Sequence, residues 1–257
     1  MACPASNTMM PIEKSLILAA SLFALSACGV AHAQHRPDLS RVETLLIEGT
    51  NEFRRHERLL SVERNARLED AAREFATFMA RSGRFDHDAD GRTPSARAKS
   101  HGYDFCLVAE NIAYEYSSAD FETGDLARKF VEGWKHSPGH RKNMLQGDAI
   151  DTAVAVARST AKGAPRYYAV QMFGRPLSAR MEFRVRNASD ALVRYRLAER
   201  ELEVHPGEVR THTECGPKAL SFDLPGDGRH GGSELAARGG DTFVVSGARG
   251  QLSVKRE

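Results

Sequence analysis

"WKHSPGHRKNM", residues 134–144, places two histidines four apart. On one unbroken helix that spacing turns both imidazoles to the same face, as in a helical zinc pair. Here Pro138 lacks an amide proton and clashes with the preceding turn, and Gly139 is a poor helix former. The helix arriving from the N-terminal side should therefore end near Ser137. His136 and His140 then belong to different elements, and any partner of His140 comes from elsewhere in the chain.

Reading outward, "SADFETGDLARKFVEGWKHS" predicts the arriving helix, opened by Ser117 or Ser118, with Phe121, Leu126, Phe130, Val131 and Trp134 as its buried face. Downstream, "DTAVAVARS" and "RYYAVQMFG" are β-prone runs joined by "TAKGAP", where Lys162-Gly163 suits a hairpin turn. Upstream, a helix from Leu39, with Ser40 as N-cap, carries Val42, Leu45, Leu46 and Phe53 on one stripe. A second, "LEDAAREFATFMARSG", aligns Leu68, Ala71, Ala72, Phe75, Phe78 and Met79 and stops at Gly83. "FDHDADGRTP" is turn chemistry, "TPSARAKSHGY" a short helix closed by Gly102, and "VAENIAY" a strand. Helices, an inserted strand and a hairpin predict a mixed sheet with helices on its faces, a layered α/β unit.

From Ser178 the pattern changes. "MEFRVRN", "LVRYRL", "FVVSG" and "QLSVKR" alternate apolar and polar residues between the turn signals "NASD", "HPGE" and "LPGDG", which predicts a small all-β, sandwich-like domain over 178–257. His205 and His212 read there as turn and surface residues.

The 257 residues hold 36 Lys plus Arg against 34 Asp plus Glu, interspersed, for a net charge of +2. Without a concentrated basic block, nucleic acid is disfavoured as a partner. "SLILAASLFALSA", residues 15–27, follows Lys14 and is too short to cross a bilayer, so it reads as a signal-peptide core. Two exits compete: cleavage after Ala33 of "AHA", making 1–33 a signal peptide, or cleavage before Cys28 of "LSAC", a lipobox, making 1–27 a lipoprotein signal and Cys28 a membrane tether. Either predicts export, to the periplasm or exterior or as an anchored lipoprotein. Cys106 and Cys215 then remain, and an oxidising compartment favours joining them. The alternative is two buried free thiols.

Two histidines stand out by context, His87 in its turn and His140 after the break, with Glu110 between them in sequence. Functional groups favour loops and element edges, and two imidazoles with a carboxylate are a divalent-metal set. The order of "NEFRR", "FDHD", "GY" at 102–103, "AENIA", "FVEGW", "SPGHRKNM" and "YYAVQMFG" resembles the bacterial branch of the CAP superfamily, the SCP domain of cysteine-rich secretory proteins, venom allergens and plant pathogenesis-related proteins. The resemblance spans 39–176. It implies an α-β-α sandwich whose cleft is lined in many members by two histidines and two acids able to hold zinc or another divalent metal.

Carried over motif by motif, the resemblance implies cleft residues His87, Glu110 and His140, with His87 and His140 as metal ligands. The second acid has no counterpart, since Lys135, His136 and Ser137 follow Trp134, and His136 is the available substitute. "AVAVA" stands where bacterial relatives usually carry glycines. The implied function is an exported binding module for a lipid, sterol, glycan or cell-wall fragment. A hydrolase using Ser137, His140 and Glu110 is one alternative, although the chain has no Gly-x-Ser-x-Gly elbow and no His-Glu-x-x-His. A structural envelope protein with a vestigial cleft is the other.

Overall fold

The computed structural model describes residues 36–159, 163–224, 234–248 and 250–257. The signal segment and Cys28, Lys162 of the hairpin turn, and most of "LPGDG" lie outside the described residues. Helix α1 is Leu39–His56, β1 Glu63–Arg64, α2 Ala66–Ser82, α3 Pro94–Ser100, β2 Phe105–Tyr116, α4 Thr123–His136, α5 Pro138–Met144, β3 Asp151–Arg158 and β4 Arg166–Pro176. The sheet order is β1-β3-β4-β2, with β1 parallel to β3 and the other pairs antiparallel.

Strand alternation divides the core into two layers. Tyr167, Ala169 and Phe173 of β4 and Val154 and Val156 of β3 face α1, α4 and α5, meeting Leu46, Phe130, Trp134 and Met144. Tyr168, Val170 and Met172, with Ala153 and Ala155, face α2 and α3, meeting Ala72, Phe75, Met79 and Ala98. This is the expected α-β-α sandwich. "AVAVA" serves both layers: its alanines share one cluster with the alanine-rich α2, and its valines fill the other. Gly83 ends α2 in the left-handed region, φ 71°, while Gly174 is required by space, since a Cβ there would overlap Tyr103.

"NEFRR" acts as a structural clamp. Asn51 exchanges two hydrogen bonds with the backbone of Val62, and the fully buried Arg54 donates to the carbonyls of Leu60, Met144, Gln146 and Ala149. A cation without a carboxylate is held by four carbonyl dipoles, and burial pushes its pKa down.

Two helix starts differ from expectation. Asp38, not Ser40, caps α1, its side chain accepting from Arg41 N. Helix α4 begins at Thr123 rather than at Ser117 or Ser118. Asp120 adopts φ 67° and its carboxylate accepts from the Tyr167 hydroxyl, while Phe121 meets the Tyr167 ring edge-on at 5.9 Å. Tertiary contacts with β4 hold 117–121 as a turn that local sequence would allow to be helical.

The C-terminal region contains β5 Met181–Asn187, β6 Val193–Leu197, β7 Arg200–Val204, β8 Val209–Glu214, β9 Lys218–Asp223, β10 Leu235–Ala237, β11 Thr242–Ala248 and β12 Gln251–Arg256. Two four-stranded sheets, β10-β9-β6-β7 and β12-β11-β5-β8, share one core of Phe183, Val185, Tyr195, Leu197, Leu220, Phe222, Phe243 and Val245. This is the expected sandwich. His212 is a correction: it is buried, stacked on Phe183 and bonded through Nε2 to the Tyr195 hydroxyl at 2.8 Å, because its place on β8 points inward. His205 is an exposed turn residue.

The sandwich is tied to the CAP-like region within one compact unit. Cys106 and Cys215 form a disulfide, and Lys218 Nζ lies 2.6 Å from Asp148 Oδ2. No described helix is long and apolar enough to cross a membrane.

Candidate functional site

Strand β2 is an edge of its sheet, and the candidate residues converge on it from both faces. Glu110 points to the α2 and α3 side with only 1% of its side chain exposed. His87 comes from the turn after α2, and its Nδ1 lies 2.8 Å from Glu110 Oε1. Its side chain is 47% exposed, so the ring covers the carboxylate and presents its other nitrogen outward.

His140 approaches from the opposite face. It lies on α5, a short helix with Pro138 at its start, where a missing amide proton is harmless. Ser137 is both the last cap of α4 and the first cap of α5, so the two histidines of "HSPGH" do fall on different helices. Arg141 and Asn143 continue α5. Asn111 donates to the His140 carbonyl, and Asn143 donates to Asn111 Oδ1 and to the Glu110 carbonyl. Gln171 of β4 continues the chain of amides, accepting from Asn111 and donating to Thr50. These bonds fix α5 against the strand edge. Among the described residues nothing hydrogen-bonds to the His140 ring.

The sequence reading missed Arg97. Its guanidinium, fully buried on α3, donates from Nη2 to both Glu110 oxygens at 3.0 and 2.9 Å and to the His87 carbonyl at 2.8 Å. From Nη1 it donates to Asp90 Oδ1 at 2.8 Å and to the Arg92 carbonyl. The plane lies 3.5 Å from the centroid of Phe75, which covers the unpaired Nε. One side chain thereby fixes the His87 turn, the Glu110 carboxylate and the Asp90 loop together. Within "TPSARAKSHGY" Arg97 resembled a surface cation. The available signal was the pair of acids in the neighbouring "DADG" and "AEN", which need a counter-charge once buried.

The electrostatics split the two imidazoles. The hydrogen bond to Glu110 holds the His87 pKa above its ordinary value, outweighing burial. Burial lowers that of His140, and the nearby His87 charge lowers it further. His87 is therefore favoured as imidazolium and His140 as neutral imidazole. Proton NMR titration of the ring signals should give midpoints on opposite sides of 6.5, His87 above and His140 below. For stability, the His87 contribution is fully present below the unfolded value and fades as pH rises through the raised folded one. The His140 contribution is present above the unfolded value and fades as pH falls through the lowered one. A single shared midpoint would show that the Glu110 contact is absent in solution.

These residues do not fit zinc or another divalent ion. Both Glu110 oxygens are taken by a permanent cation, His87 turns one nitrogen to the same carboxylate, and the second acid is missing. A divalent charge beside buried Arg97 would meet direct repulsion. His136 does not make up the deficit: it is 79% exposed, and its Nδ1 bonds to the Glu132 carbonyl one turn back. No group of three or more His, Cys, Asp or Glu among the described residues is arranged to hold a metal.

The chain is similar to several known proteins. An uncharacterised protein of Borreliella burgdorferi is 26% identical over 135 residues, covering 52% of this chain and 81% of the relative. An outer surface protein of Borrelia burgdorferi has a TM-score of 0.45 and 22% identity over 55% of this chain and 98% of that one. An extracellular SCP-domain protein of Bacillus anthracis has a TM-score of 0.41 and 24% identity over 52% of this chain and 40% of that one. Residues 47–173 match the CAP, or cysteine-rich secretory protein, family, and this stretch contains His87, Glu110, His140 and the helices and strands that place them. The chain contains a domain of the CAP, or cysteine-rich secretory protein, family.

Proposed function

We propose that this protein is an exported binding module whose cleft holds a polar envelope ligand, a glycan or cell-wall fragment, between His87 and His140 without a metal. The observation carrying this reading is the buried Arg97–Glu110 pair, which supplies from within the protein the charge balance a metal would otherwise provide. His87, as imidazolium, offers a donor, and the unpartnered ring of His140 offers both a donor and an acceptor. Such walls suit hydroxyl-rich ligands better than a lipid tail or sterol. Export rests on the segment 15–33, and anchoring through Cys28 remains the alternative exit from the same signal.

The hydrolase alternative lacks a nucleophile in place. Among the described residues no hydroxyl hydrogen-bonds to the His140 ring, and Ser137 is a helix-end residue. The test is co-sedimentation of the mature protein with purified cell-wall polysaccharide, with and without EDTA, beside a His87→Ala/His140→Ala variant. Binding should survive EDTA and fall at least about tenfold in the variant, a loss of the size expected from charge-assisted hydrogen bonds. Loss in EDTA would overturn the metal-free reading. Unchanged binding by the variant would remove the cleft as the site.

A further inference from the structure

Beside the cleft, on the α2 face of the sheet, lies an aromatic strip that the histidines do not use. Tyr114 and Tyr116 follow Glu110 on the same face of β2, extending roughly 20 Å from it at the rise of a strand. Phe85, two residues before His87, meets Tyr114 edge-on at 4.9 Å, and Tyr114 lies 5.8 Å from Tyr168. Phe85, Tyr114 and Tyr116 are 41%, 42% and 63% exposed, which is unusual for three large rings placed side by side. Register sets Tyr116 opposite Arg166, whose guanidinium lies 5.8 Å from the Tyr114 ring. Beyond it a cavity of about 520 Å³ is bordered by Arg81, Tyr116, Arg166 and Tyr168.

Cations stand beside the far part of this strip. Among the described residues Arg81 and Arg166 form no ion pair, whereas Arg41, Arg64, Arg73, Arg92, Arg97, Arg128, Arg141 and Arg158 are paired. Flat exposed rings favour the apolar faces of pyranoses, and unpaired guanidiniums favour carboxylates. We infer that the strip from Phe85 to Arg166 is a docking surface for a carboxylate-bearing polysaccharide, whose rings lie on Phe85, Tyr114 and Tyr116 and whose acid groups meet Arg166. The surface extends the cleft of the proposed function and rests on that reading. Arg81 and the cavity would take the sugar beyond Tyr116.

The probe is an oligogalacturonate, titrated calorimetrically into the full mature protein beside its fully methyl-esterified form. The acid form should bind, the ester about tenfold or more weakly. Phe85→Ala, Tyr116→Ala and Arg166→Gln should each weaken binding by about tenfold, the scale of one lost aromatic or charge-assisted contact. These residues are exposed, and circular dichroism would confirm that the variants fold. No binding by the parent, equal affinity for acid and ester, or binding only to anionic phospholipid vesicles would overturn the inference. Binding lost in His140→Ala but unchanged in the strip variants would overturn the strip and leave the cleft reading standing. Binding lost in the strip variants but unchanged in His140→Ala would keep the surface and overturn the cleft reading.

Discussion

Replacing Arg97 with methionine should lower the unfolding free energy by about 3 to 5 kcal/mol, the range seen when one partner of a buried pair is removed. The guanidinium is fully buried, and Glu110 and Asp90 are 1% and 5% exposed, so water cannot replace the lost donors. Asp90 keeps three bonds from Arg92, while Glu110 is left with His87 alone. The penalty is therefore concentrated on Glu110. Adding Glu110→Gln to Arg97→Met should recover part of the loss, because an amide costs less to bury than an uncompensated carboxylate. Urea denaturation followed by circular dichroism measures both. A loss under about 1 kcal/mol for the single variant, the scale of a surface pair, would mean that the site opens to water in solution.

The second large effect concerns the disulfide. Cys106 at the start of β2 and Cys215 just after β8 are 109 residues apart, and closing a loop of that size removes much of the freedom of the unfolded chain. The chain-entropy model gives about 4 to 5 kcal/mol for such a loop. A Cys106→Ser/Cys215→Ser variant should show that loss on denaturation. The remaining polar ties at this junction include Lys218 with Asp148 and Arg175 with the Ala179 carbonyl, so proteolysis between Pro176 and Met181 should rise with it. Equal stability of oxidised and reduced protein would mean that the unfolded chain already keeps these segments close.

Much of the architecture was legible because it depends on local periodicity. Apolar stripes at period 3.6 gave the faces of α1, α2 and α4. Strict alternation gave β5 and β6, and "SPG" gave the helix break. The two-residue strand β1 was not readable, because it exists only by pairing with β3. The start of α4 was misplaced because Tyr167, over forty residues away, holds Asp120 in a turn. His212 was misassigned because a single histidine does not reveal which face of a strand it occupies until the sheets are stacked. At the site, the motif order placed His87, Glu110 and His140 near one another, and the metal was implied by the family resemblance that those motifs carry.

The sequence by itself determined the layered α/β region, the all-β region after Ser178, the expectation of export, the separation of His136 from His140, and the cysteine pair available for bonding. These follow from short-range rules of helix, strand and turn that need no knowledge of distant neighbours. Only the tertiary structure decided what the cleft contains. Arg97 looks like any surface cation within its own short helix. Folding α3 against β2 encloses it with two carboxylates, and that enclosure, through desolvation and Coulombic balance, makes Glu110 the anchor of an internal ion pair.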